Sequence, residues 1–267
     1  MPAVVGFLGY GRMAQAISEG LDQSGLVPYK KQLASDVARG PLAKIQEKRG
    51  FKAVADNREL ALKAPIIVIA VKPHQVRGAL GEIKDLLGER LVISIAAGVT
   101  LSVLGEYVPE DSTLARVVPN LPALVGKGLT LMTSRKGANP EDLANVRKIF
   151  QAVGEVVDLP ENLFNEGSAV SGSGPAYFFL VMEAMVRGAA RLGIPWDVAR
   201  QLVLKTSEGA AATALARPGA SLAELRDQVS SPGGTTAEGL LALEEGKLTA
   251  LFHEALARAT LKGKALS

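Results

Sequence analysis

Two segments, PIIVIAVKP at 65–73 and LVISIAAG at 91–98, are almost continuously apolar and rich in β-branched residues. Runs this short read as strands, and a strand with no polar face must be covered on both sides. That requirement selects a parallel sheet with helices on both faces. The surrounding chain has the matching rhythm: AVVGFLG, then RMAQAISEGLDQSG, KQLASD, PLAKIQEKRG and FKAV alternate strand-like with helix-like stretches. This is βαβ cadence. Further short strands are expected at TLARVVPN, GLTLMT and GEVVDLP, with a helix over NPEDLANVRKIFQAVG whose Pro140 suits a first turn.

After Pro160 the strand signal stops. Long periodic segments follow, GPAYFFLVMEAMVRGAARLG, PWDVARQLVLKTSEGAAATALARPG and LTALFHEALARATLKGKAL, dense in Ala and Gly. Small residues let helix axes approach closely, so the second half reads as an all-helical bundle. The expected division is 1–160, a doubly wound Rossmann-type α/β domain, and 161–267, a helical domain. The stripe Phe178, Val181, Met182 and Met185 has helical spacing and reads as core or subunit interface.

GFLGYGRMA places Gly9, Gly11 and Ala14 as GxGxxA between a predicted strand and a predicted helix. In that context Gly9 permits the tight turn, Gly11 lets a pyrophosphate approach the backbone, and Ala14 allows close helix packing. The predicted ligand is a nicotinamide dinucleotide. The end of the second strand should face the adenosine ribose: Asp36 favours NAD, whereas Ser35, Arg39, Lys30 and Lys31 favour NADP. Sequence leaves that choice open. Lys72, after a central strand, is placed within reach of the cofactor.

The composition removes other chemistries. There is no cysteine, so disulfides, thiolate nucleophiles and Cys-type zinc sites are excluded. The two histidines, His74 and His253, form no metal-ligand pair, and no GxSxG elbow is present. SGSGP reads as a glycine turn with Ser173 capping a helix that carries Pro175 early. A net charge of +3 with scattered Lys and Arg offers no basic patch for nucleic acid. The N-terminus lacks a basic leader, and no run is read as reaching the ~20 apolar residues of a membrane span, so a soluble, cytoplasmic protein is expected.

A reductase with so few acid or base groups suits a substrate that is already an electrophile once protonated, such as a cyclic imine. VSSPGGTTAEG at 229–239 supplies a place for an acidic substrate. After Pro232, the amides of Gly233, Gly234 and Thr235 with the hydroxyls of Ser231 and Thr235 form a nest for a carboxylate, and Thr236 is placed to reach a ring nitrogen.

The whole chain resembles the pyrroline-5-carboxylate reductases, in GFLGYGRMA, VKPHQV, SIAAGV, RVVPNLP, SGSGPAYFF and above all VSSPGGTTAEGLLALE. The resemblance implies reduction of 1-pyrroline-5-carboxylate to L-proline, the last step of proline biosynthesis, with NADPH or NADH. It implies a Rossmann domain followed by an interlocking dimerisation domain, an active site at the subunit interface, and dimers that assemble into a larger ring such as a decamer. Carried onto this chain, cofactor contacts fall on Gly9, Tyr10, Gly11, Arg12 and Met13, on Ser35, Asp36 and Asn57, on Val71, Lys72 and Pro73, and on Ala96, Ala97 and Gly98. Substrate contacts fall on Ser231, Gly233, Gly234, Thr235 and Thr236, the last as catalytic hydroxyl. Two departures stand out: Val118 and Leu121 replace the family's usual Met and Thr, and NEGSAV before SGSGP is richer in glycine than usual.

Two other readings share parts of the pattern. A β-hydroxyacid-type dehydrogenase would need a catalytic lysine in the second half, where Lys205 lies among apolar neighbours without Gly and Asn partners. A non-catalytic dinucleotide sensor would not need the SPGGTT loop.

Overall fold

In the computed structural model, residues 4–266 are described; Ala3, in the first predicted strand, and Ser267, in the second predicted domain, lie outside them. Residues up to Ser173, together with the end of the last helix from Ala259, form one compact unit, and Gly174–Arg258 form a second.

The first unit is built on eight strands: β1 Val5–Leu8, β2 Gln32–Ser35, β3 Lys52–Ala53, β4 Ile66–Ile69, β5 Leu91–Ser94, β6 Thr113–Val118, β7 Gly128–Ser134 and β8 Gly154–Asp158. Their order across the sheet is β3-β2-β1-β4-β5-β6-β7-β8. β1, β2, β4 and β5 are buried along their whole length, as the apolar runs of β1 and β4 require; β2 carries Gln32 and Ser35 into the interior, and β5 carries Ser94. Helices α1 Arg12–Gln23, α2 Arg39–Arg49, α3 Asn57–Lys63, α4 Val76–Gly81, α5 Leu101–Gly105 and α6 Pro140–Gln151 follow their strands. One face of the sheet packs Phe7, Val68 and Ile93 with Ile17 and Leu21 of α1 and Phe150 of α6. The other packs Leu8, Ile67 and Val92 with Leu60 of α3, Leu80 of α4 and Leu104 of α5.

The sheet is not parallel throughout, as the cadence suggests. β7 runs antiparallel to β6, with Val117 opposite Met132. The connection 119–127 holds only a 3₁₀ turn, Leu121–Val125, and is too short for the helical crossover that parallel neighbours need. β8 then returns parallel to β7 through α6.

Helix α7 Phe164–Ser171 packs on the sheet: Phe164 is buried against Val118 and Leu131. Gly167 lets the side chains of Leu159 and Leu131 close over the helix, since a Cβ would lie 2.5 Å and 2.8 Å from their terminal methyls. The glycine in NEGSAV is therefore a packing device. The end of the last helix is tied to the same unit by Lys264, whose ammonium lies 2.7 Å from Glu166.

The second unit contains α8 Gly174–Arg191, α9 Trp196–Leu215, α10 Leu222–Gln228, α11 Thr235–Glu245 and most of α12 Leu248–Leu266. Ser173 immediately precedes α8 and Pro175 is its second residue. α8 and α9 form a hairpin around Val186, Ala199 and Val203. Little else is covered. Within the chain α8 buries only Gly174 and Val186, and α10 and α11 bury nothing. Phe178 is 65% exposed and Met185 48%; Val181 is also exposed, so only Met182 of the stripe packs internally.

Glu161–Arg191 contains an 18-residue window of mean hydropathy 1.2, apolar and long enough by composition to cross a membrane. Within this stretch Glu183 and Arg187 form an i,i+4 ion pair with each other.

Candidate active site

The strand order reverses between β1 and β4, since chain order leads from β1 outward to β2 and β3 and then back across to β4. In open α/β sheets ligands bind at the carboxyl ends of strands flanking such a switch point. The residues singled out for cofactor binding all follow carboxyl ends: Gly9 to Met13 after β1, Ser35 and Asp36 at β2, Val71 to Pro73 after β4, Ala96 to Gly98 after β5, and Asn57 at the start of α3 after β3.

The two glycines of the β1 turn differ in kind. Gly9 has φ +84°, and a Cβ there would lie 2.9 Å from the carbonyl carbon and oxygen of Ala70. Its own N–H donates to Ser35 O at 2.8 Å, and Ala70 N–H donates to Leu8 O at 2.7 Å, so both neighbours are pinned. The protein itself demands this glycine. Gly11, the N-cap of α1, has an ordinary φ of −68°, no side-chain cap, and open space where a Cβ would stand. Nothing among the described residues excludes a side chain at Gly11. The unencumbered α1 start, with N–H groups that lack intrahelical acceptors, is the cradle a pyrophosphate needs. Ala14 is buried beneath it.

Tyr10 contributes only main chain. Its ring is buried between Phe7 and Phe51, with centroids at 5.8 and 4.4 Å, and its hydroxyl meets Ser18 Oγ at 2.5 Å. Ser18 donates in turn to Gln32 Oε1, and Gln32 Nε2 donates to the Ser18 and Val27 carbonyls. Burial raises the Tyr10 phenol above its ordinary value, partly opposed by the Ser18 hydrogen bond and by Arg49. This network anchors the turn from below. Sequence reasoning missed it, although Ser18, on the same helical face as Ala14, is a polar residue at a core position.

Asp36 is committed to the same turn. One carboxylate oxygen accepts from Tyr10 N–H at 2.7 Å and the other from Ala38 N–H at 2.8 Å. Ser35 is buried and donates to Asn57 Oδ1 at 2.7 Å, while Asn57 donates to Glu82. The Ser35 hydroxyl proton is thus used inside the protein, and its oxygen still has acceptor capacity. Arg39 is exposed and donates to Ala55 O; Arg12, Lys30 and Lys72 are exposed, and Met13 is partly buried on the core. Pro73, His74, Arg77, Gly98 and Val99 line an open cleft of about 520 Å³ at the β4 and β5 ends.

Val118 is buried on Phe164 and Leu131, and Leu121 is half-exposed at the start of the 3₁₀ turn. Asn120 is structural: it donates to Ser171 O and accepts from Leu129 N–H.

In the second unit, Ser231 O accepts from Gly234 N–H at 2.9 Å, closing a turn with Pro232 and Gly233 at its centre, the latter at φ +67°. Within the expected nest the Gly234 amide thus also closes this turn. Gly234 is the N-cap of α11 and brings no side-chain cap, so the N–H groups of Thr235 and Thr236 head the helix without intrahelical acceptors. Ser231, Gly233, Thr235 and Thr236 are all exposed within the chain. Lys205 is 75% exposed on α9 and paired with Glu208, not held in a site. His74 and His253 are exposed.

Residues 161–266 match the family model described as pyrroline-5-carboxylate reductase dimerisation. The pyrroline-5-carboxylate reductase of Methanosarcina acetivorans is 39% identical over 98% of this chain and 97% of that protein. The chain belongs to the pyrroline-5-carboxylate reductase family. Residues 4–98 also match a model described as NADP oxidoreductase, coenzyme F420-dependent. Among solved structures, a pyrroline-5-carboxylate reductase from Coxiella burnetii superposes with TM-score 0.93 at 37% identity, covering 100% of this chain and 99% of that one. The Plasmodium falciparum pyrroline carboxylate reductase, crystallised with NADP bound, gives 0.89 at 30% identity, covering 99% and 98%. The exposed apolar helices of the second unit lie within the residues that match the dimerisation model.

Proposed function

We propose that this protein reduces 1-pyrroline-5-carboxylate to L-proline, as a Rossmann domain joined to a helical dimerisation domain near residue 160. The observation that carries the reading is the contrast between Gly9, which the fold requires, and Gly11, where the fold leaves a place at a helix start vacant of side chain. NADPH, when bound, supplies the hydride; NADH is the alternative donor. The Gly9–Met13 turn would hold the pyrophosphate, with the main-chain N–H groups of Gly11, Arg12 and Met13 as donors, since those of Gly9 and Tyr10 bond Ser35 and Asp36; Ser35, Asp36 and Asn57 would border the adenosine side, and Val71 to Pro73 with Ala96 to Gly98 the nicotinamide side.

The substrate carboxylate is held by the Thr235 amide, Gly233 and the Ser231 and Thr235 hydroxyls. Thr236 hydrogen-bonds the ring nitrogen, which takes a proton from solvent before hydride adds to the imine carbon and leaves that nitrogen a neutral amine. Orientation and exclusion of water do most of the work, because the protonated imine is already electrophilic. The exposed apolar faces of α8 and α9 pair with a second copy, and the dimers assemble further into a ring such as a decamer. Mixing the protein with NADPH or NADH and 1-pyrroline-5-carboxylate, and following absorbance of the reduced nicotinamide, tests the proposal. Loss of that absorbance with formation of proline is expected; no oxidation with either donor ends it.

A further inference from the structure

Arg116 is a charged residue in the middle of an apolar strand. It lies on β6 beside Ser94 of β5 and is only 3% exposed. Nη1 donates to Glu161 Oε1 at 2.9 Å, the guanidinium carbon sits 4.8 Å from the centre of the Phe164 ring, and Nε is buried without a hydrogen-bond partner. A buried guanidinium with an idle donor is a poor source of stability, since an apolar residue of similar size serves a core at least as well. What the arginine supplies is a directional hold on Glu161.

Glu161 passes that hold on. The same oxygen, Oε1, accepts the N–H of Leu101 at 2.6 Å. Leu101 opens α5, directly after the turn in which Val99 N–H donates to Ala96 O and Gly98 takes φ +77°. Three separate parts of the chain, β6, the 3₁₀ turn Glu161–Leu163 and the start of α5, therefore meet at one carboxylate oxygen.

We propose that Arg116 is a positioning residue which, through Glu161, fixes the Ala96–Gly98 turn against the nicotinamide half of the cofactor. The inference rests on the dinucleotide reading given above. A dinucleotide spanning the switch point with its adenosine over β2 lays its other half over β4 and β5. The clamp therefore acts on one half of the ligand only.

This asymmetry supplies the test. Binding of NADP⁺ and of 2′-phospho-ADP-ribose, which lacks the nicotinamide ring, is measured by calorimetry for the wild type, Arg116→Met, Arg116→Lys, Glu161→Ala and the Arg116→Met/Glu161→Ala double variant, with Tm followed alongside. Glu161→Ala and Arg116→Met are expected to weaken NADP⁺ by about tenfold or more, the effect of losing a charge-assisted hydrogen bond. Binding of 2′-phospho-ADP-ribose stays within about twofold of wild type. Arg116→Lys restores part of the loss, and the double variant is no worse than Glu161→Ala, because the two residues act in series. Equal weakening of both ligands, or a fall in Tm with neither ligand affected, overturns the proposal. A wild type that binds neither nucleotide overturns the dinucleotide reading itself, a distinct result. Should Arg116→Met not fold, the ratio of the two affinities in Glu161→Ala decides alone.

Discussion

Replacing Gly9 and Gly11 in turn by alanine separates what the fold needs from what the ligand needs. At Gly9 a side chain must adopt φ +84°, which costs about 1–2 kcal/mol for an L residue. Its Cβ also meets the Ala70 carbonyl group at 2.9 Å. That group cannot retreat without disturbing the Ala70 N–H bond to Leu8 O, so overpacking adds about 1–3 kcal/mol. Gly9→Ala should thus destabilise the protein by about 2–5 kcal/mol, lowering Tm by on the order of 10 °C. At Gly11 the backbone is ordinary and the new methyl touches nothing, so the stability cost is at most about 1 kcal/mol, from a poorer N-cap. The same methyl occupies the space a pyrophosphate must enter. Gly11→Ala should therefore weaken NADPH by about 10- to 100-fold, the equivalent of a 1–3 kcal/mol overpacking penalty. Differential scanning calorimetry and titration of nucleotide fluorescence read the two effects separately. Gly11→Ala binding NADPH as tightly as wild type, or Gly9→Ala melting at the wild-type temperature, refutes the reasoning.

Three more outcomes are expected. Thr236→Ala should lower kcat/KM by the equivalent of about 1–3 kcal/mol if its hydroxyl serves the imine nitrogen, and unchanged steady-state kinetics would remove it from the mechanism. Phe178→Glu and Met185→Glu, at positions 65% and 48% exposed in the chain, should shift light-scattering mass toward the monomer; an unchanged mass would show that these faces are not the contact. Burial raises the phenols of Tyr10 and Tyr29, so two of the four tyrosines should ionise late in an ultraviolet titration. Because the folded values lie above the unfolded ones, the stability linked to these groups is intact below pH ~10 and is lost as pH rises through the folded values. Tyr10→Phe should flatten part of that loss, and an unaltered alkaline profile would contradict the burial argument.

The strands were legible because burial on both faces leaves continuous apolar runs such as that of β4, and the dinucleotide turn because its glycines stand between a strand and a helix. The reversal of β7 was not, since its alternation is equally suited to either direction and only the shortness of 119–127 forbids a crossover. Tyr10 shows another limit. A residue inside a ligand motif reads as a contact, yet its side chain points into the core and only its amide faces Asp36. At Gly234 the backbone likewise does local work that composition does not reveal, its amide closing the turn before α11. For the apolar helices, composition alone cannot distinguish lipid from a second protein surface, because both want the same side chains.

The sparse interior of the second unit, a small cluster on α8 and α9 with bare helices beyond it, ties the fate of this chain to its abundance. If α8 and α9 pair with a second copy as proposed, the apolar surface left over after intramolecular folding is covered in a bimolecular step, and reaching the mature state becomes second order in polypeptide. Diluting the purified enzyme should then lower its melting temperature, and a cell making too little of it would lose activity more steeply than in proportion to the amount made.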